Sequence, residues 1–111
     1  MTNDTLANTT ELIIRDFELQ PLDRPLSEEE LLQLLADHIA DMIEHRLEFL
    51  LSMMYRLDID EEKVSYALSP YSPEPANIGL ARLVLERQKQ RAFTKQYYKQ
   101  EGLDGLDGLE L

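Results

Sequence analysis

Cysteine is absent from this chain of 111 residues, which excludes a disulfide framework and a thiolate zinc site and is compatible with an intracellular setting. A long hydrophobic run is also missing. The longest, Phe49 to Tyr55, is interrupted by Ser52 and falls far short of the ~20 apolar residues needed to cross a bilayer. The first ten residues are polar and lack the basic-then-apolar order of a secretion signal. There is no glycine-rich phosphate loop, nucleophile elbow or cysteine–histidine pair. These absences predict a soluble, cytoplasmic protein with no membrane partner, no cofactor and no catalytic activity of its own.

β-Branched residues are scarce as well. Leucine occurs 21 times, whereas isoleucine and valine together occur only 8 times. That balance favours helices over sheets, because γ-branched and straight side chains lose little rotamer freedom on a helix. Leu, Ile, Val and Phe together number 32, roughly 29% of the chain and above the disordered range, so a core can form. The length allows one domain.

Positive charge is rare outside one segment. Residues 1–79 carry 5 Lys/Arg against 17 Asp/Glu, a balance of −12; residues 80–100 carry 6 against 1, or +5; residues 101–111 carry none against 4, or −4. The simplest role for the basic segment is to neutralise acidic helices of its own assembly.

Residues 11–19 hold a short apolar cluster that fits a helix or an extended arm equally well. Pro21 and Pro25 impose an extended connector, which makes residues 1–26 an N-terminal arm. Ser27 and Glu30 then form a Ser-x-x-Glu capping box, with Glu28 and Glu29 at the positive end of the dipole. An apolar stripe that includes Leu31, Leu35, Ile39, Met42, Leu50, Met53 and Leu57 carries the helix to about Leu57. Asp58 or Asp60 caps a short helix ending near Leu68. After the rigid SPYSPEP turn, Ser72 as cap and Pro73 as first residue open a third helix running to about Lys99. The ending GLDGLDGLEL places glycine at every third position and reads as a flexible acidic tail, residues 101–111.

The expected fold is therefore all-α, with two long helices and one short helix in a bundle over residues 27–100. A helix of 31 residues would be ~46 Å long, longer than the ~34 Å diameter of a compact domain of this size. A second copy packed about a two-fold axis is the commonest cover for the uncovered stripe, so a homodimer is expected.

Arg46 falls in the middle of the stripe. An uncompensated charge there would cost several kcal/mol, so the site must supply a carboxylate, helix-end carbonyls or an exit to water. A buried ion pair that fixes helix register is the reading adopted. His38, Asp41, His45 and Glu48 line one side of the same helix, but the two histidines lie ~10.5 Å apart along it. No metal site is expected from them. Asp58, Asp60 and Glu62 have the opening spacing of a calcium loop, yet Lys63 stands where glycine is required and Ser69 where glutamate is.

These features point to a small helical protein-interaction module, an adaptor, regulator or assembly subunit. Met53 and Met54 are candidates for a pliable contact surface. Arg87, Arg91, Phe93, Lys95, Tyr97 and Tyr98 are candidates for docking an acidic protein partner. The alternative is a nucleic-acid-associated protein using the basic helix 80–100, with the aromatic rings stacking on bases. The acidity of the preceding segment disfavours it.

Overall fold

The computed structural model describes the backbone of residues 3–100 and the side chains of residues 4–95. The expected tail from residue 101 and the side chains of Tyr97 and Tyr98 lie outside that range. Within it the fold is all helical: α1 (Asn3–Phe17), α2 (Glu28–His45), α3 (Leu47–Arg56), α4 (Glu61–Leu68) and α5 (Ala76–Gln100). No helix among the described residues is long and apolar enough to cross a membrane.

Among the described residues the architecture is all-α as expected, with five helices where the expected bundle had three. The first addition is α1, where the helical alternative for residues 11–19 holds, begins earlier at Asn3 and joins the core. Thr5, Thr9, Ile13 and Phe17 recur every four residues and are all buried, and the helix packs along α5. It ends on Glu18 in the left-handed region at φ 53°, where the Leu19 amide donates to the Ile14 carbonyl at 2.9 Å. That is a Schellman turn built without its usual glycine.

The second addition comes from a break at Arg46. The capping box forms at Ser27 and Glu30, yet the helix stops after His45 because Arg46 adopts φ −146° and ψ 50°. At 100° per residue, Leu50, Met53, Met54 and Leu57 return to the arc that Leu31, Leu35, Ala36, Ile39 and Met42 occupy, and all nine are buried. Arg46 alone would put a charge at the centre of that arc. Breaking the helix lets the side chain leave for solvent, where it is exposed. The expected buried ion pair is thus replaced by the exit to water, which avoids the desolvation cost of a buried guanidinium.

Contacts along α5 show where the chain goes next. Lys89 Nζ lies 3.5 Å from Glu28 at the start of α2, Asn77 donates to the Ala36 carbonyl further along it, and Arg87 donates to the Leu57 carbonyl just beyond α3. The chain has therefore turned back toward the middle of α5, and the ~46 Å rod does not form. The length argument for a second copy goes with it, while part of the apolar stripe, Leu47 and Leu51, stays exposed.

A second Schellman turn follows α3, with Asp58 at φ 61° and the Ile59 amide donating to the Met54 carbonyl at 3.1 Å. Asp60 caps α4, accepting from the Glu62 amide at 2.8 Å. α5 begins at Ala76, three residues later than expected: the first carbonyl to accept along it is that of Pro75, from the Ile78 and Gly79 amides at 3.1 Å and 3.0 Å. Gly79 lets α4 and α5 approach closely: a Cβ there would lie 3.2 Å from that of Ala67.

Candidate functional site

The basic residues of α5 are mostly spent inside the molecule. Arg82 meets the Glu74 carboxylate at 2.8 Å. Arg87 donates through Nε to the Leu57 carbonyl at 2.8 Å, with Asp58 4.0 Å from its Nη2. Lys89 lies between Glu28 and Glu86. Arg91 donates to Gln88 Oε1 at 2.9 Å and lies 3.4 Å from Asp16.

The last of these contacts belongs to a polar cluster linking α1 to α5. Gln88 is fully buried and donates to Asp16 at 2.7 Å, while Arg91 closes the triangle. A buried amide needs such partners, since leaving one unpaired costs ~1–3 kcal/mol. The contribution of the cluster is to fasten the helices together.

The expected partner-binding residues thus scatter. Arg87 and Arg91 are half-buried and engaged. Phe93 and Lys95 are exposed near the end of α5, Lys95 beside Glu11 and Arg15 of α1. Met53 and Met54 are in the core and do not form the contact surface expected of them, although Met54 contributes to the floor of a groove beside α3. Burial follows from helical phase: both lie on the arc shared with α2, and only their neighbours face out.

Those neighbours form the surface that the methionines were expected to provide. Leu47, Leu51 and Tyr55 recur every four residues along α3, and all three are exposed, Tyr55 by 74%. Leu51 and Tyr55 line a groove of about 240 Å³ between α3 and α4, together with Met54, Ile59, Val64 and Glu61. The Asp58 turn joins the two helices at one end of this groove. A larger groove of about 660 Å³ runs between α1 and the proline connector, lined by Leu6, Ile14, Pro21, Leu22 and Leu26. There the connector itself covers the apolar face, strapped down by Arg24 on Glu30 at 2.6 Å and 3.1 Å.

On the opposite flank of α3, Arg46 and Arg56 both sit over the Phe49 ring, at 4.9 Å and 5.8 Å from its centroid. Such contacts contribute ~0.5–1 kcal/mol when exposed. His38 packs edge-on against Phe17, and His45 lies 3.7 Å from Asp41. Among the described residues, no three His, Asp or Glu side chains gather as a metal cage would require.

The helical phase of Leu47, Leu51 and Tyr55 was readable, but not the side of the helix that would be covered. The break at Arg46 separates α3 from α2, and Leu50, Met53 and Met54 take the buried side of α3. In comparison with known proteins, no family model, no curated protein and no solved structure matches this chain.

Proposed function

We propose that the protein is a helical interaction module, acting in the cytoplasm as an adaptor, regulator or assembly subunit and working by docking rather than by catalysis. The observation that carries this reading is the exposed row Leu47, Leu51 and Tyr55 at the lip of the α3/α4 groove. Scattered apolar side chains are ordinary on a protein surface, but a row bordering an apolar groove is the form that partner helices use. The cysteine-free composition is in keeping with a reducing compartment.

The basic helix supports the nucleic-acid alternative less well, because Arg82, Arg87, Lys89 and Arg91 already hold carboxylates or carbonyls of the same chain. Phosphate binding would have to displace those partners. A homodimer, formed by a second copy on the α3 row, is the narrower form of the docking reading.

The test compares the proteins recovered from native cells by the wild-type chain with those recovered by Leu51→Ser and Tyr55→Ser, each checked for helicity and melting temperature. Both variants should fold normally and lose specific partners. An identical set of partners for folded variants and wild type removes α3 as the docking surface.

A further inference from the structure

The α3/α4 groove has a charge as well as an apolar floor. Glu61 is part of its lining, and no lysine or arginine is among the lining residues. Glu48 precedes Leu51 by three residues and Tyr55 by seven, which places it on the same flank of α3; it is exposed. Glu62, also exposed, precedes the lining residue Ser65 by three on α4. Each wall of the groove therefore carries carboxylate along its rim.

The cations of α3 do not offset them. Arg46 and Arg56 are held over Phe49, which is turned about 160° around the helix from Leu51. Arg82, Arg87, Lys89 and Arg91 of α5 are committed to Glu74, Leu57, Glu28 and Asp16, and Lys63 of α4 is turned about 160° around that helix from Glu61. What the chain leaves for a partner at this groove is apolar surface framed by negative charge.

Length and spacing define the shape of a fitting partner. From Leu47 to Tyr55 the row is ~12 Å long, about two helical turns, which matches the reach of a helix presenting anchors at i, i+4 and i+7. A second copy is a poor match: at a net charge of −11, a two-fold contact would set one acidic rim against the other.

We propose that the groove between α3 and α4 takes a cationic amphipathic helix of another protein, with apolar anchors against Leu51, Tyr55, Ile59 and Val64 and with lysines or arginines meeting Glu48, Glu61 and Glu62. The inference rests on the docking reading above and narrows it to one partner chemistry.

The experiment titrates three labelled 18-residue peptides into the full chain: a leucine–lysine amphipathic helix, its leucine–glutamate counterpart, and the leucine–lysine composition in scrambled order. The ordered leucine–lysine helix should bind one per chain, with NMR shifts confined to α3 and α4, and the other two at least about tenfold more weakly. Tyr55→Ser should weaken it about tenfold. The pair Glu48→Lys with Glu61→Lys should transfer preference to the leucine–glutamate peptide. The pair Asp37→Lys with Asp41→Lys, which changes net charge equally on α2, should leave preference as it was.

Equal loss in the α2 pair would mean diffuse attraction to an acidic chain, and the proposal fails. It also fails if the scrambled or leucine–glutamate peptide binds as well as the ordered cationic one. Light scattering that shows a dimer, dissociated by Tyr55→Ser, would identify the occupant as a second copy; that outcome overturns this proposal while the docking reading stands. Failure of the docking reading is seen separately, in native-cell partners that survive Tyr55→Ser.

Discussion

The basic half of α5 and the apolar helix α3 both hold residues from which binding surfaces are built, and they dispose of them in opposite ways. On α5, Arg82, Arg87, Lys89 and Arg91 turn back onto the molecule and are paired there. On α3, Leu50, Met53, Met54 and Leu57 fill the core while Leu47, Leu51 and Tyr55 stay outside. A run of charge in a sequence reports what a segment carries, and only packing decides what it presents. Here the conspicuous basic segment is largely internal mortar, and the available surface lies on the helix that the sequence marks as core.

The sharpest way to break that contrast is to cut two adjacent residues of α3. Leu50 is fully buried and Leu51 is 38% exposed. Leu50→Ala should cost ~2–5 kcal/mol through lost burial and a residual cavity. Leu51→Ala should change stability by no more than about 0.5 kcal/mol, the usual scale for surface positions. Urea unfolding of both variants measures the difference, and equal losses would mean that α3 is rotated from the orientation described.

The internal use of α5 is tested next by Asp16→Ala. This removes the acceptor that Gln88 and Arg91 share and strands a fully buried amide donor. A loss of ~1.5–3 kcal/mol is expected, since both hydrogen bonds go to a carboxylate. Restoration of stability by adding Gln88→Leu, which removes the stranded group, would confirm that the penalty comes from desolvation. A loss below about 0.5 kcal/mol would instead return Arg91 to the list of available cations.

Much of this fold was legible because local chemistry and packing agree. Ser27 with Glu30 marks the start of α2, Asp60 that of α4, and the prolines of SPYSPEP the turn before α5; each is an interaction within a few residues and independent of the rest of the molecule. Two helix ends, after Phe17 and after Arg56, lack their customary signal. Glu18 and Asp58 occupy left-handed positions where glycine is expected, at a cost of roughly 1–2 kcal/mol apiece, and the structure meets that cost through contacts distant in sequence. The break at Arg46 was hidden differently. The apolar phase runs through it unchanged, so periodicity shows one helix, and only the penalty for burying the arginine shows that something must give. The candidate groove was illegible for the same reason, because it opens where that break and the Asp58 turn position α3 and α4.

A smaller effect bears on Arg46 itself. With the guanidinium exposed above Phe49, Arg46→Ala should cost ~0.5–1 kcal/mol, the value of an exposed cation–π contact. A loss of several kcal/mol would show a buried charge partner instead. Arg46→Leu is the more telling variant, because an apolar residue at this point completes the stripe and removes the reason for the break. Small-angle scattering should then show a longer particle as α2 and α3 tend to join. An unchanged profile would place the cause of the break in the packing of α3 rather than in the charge.

The smallest effect concerns a surface pairing of the kind α5 uses, placed where water surrounds it. Arg24 grips Glu30 through two hydrogen bonds, and the Ser27 amide donates to the same carboxylate at 3.0 Å. Together, with the Arg24 hydrogen bond foremost, they lower the Glu30 pKa from its ordinary 4.5 to about 2. A lowered pKa means that the fold favours the carboxylate, so the stabilisation is complete above the ordinary value and fades as pH falls from there through about 2. Both groups are exposed, so water and salt screen the pair and its effect belongs to the titration curve more than to the melting temperature. Carbon-detected NMR should place the Glu30 midpoint near 2 in the wild type. In Arg24→Gln the midpoint should rise, yet remain below 4.5 because the Ser27 amide still donates. A midpoint that stays near 2 without Arg24 would transfer the whole shift to the capping box. The connector over the α1 groove would then be held by its prolines rather than by this strap.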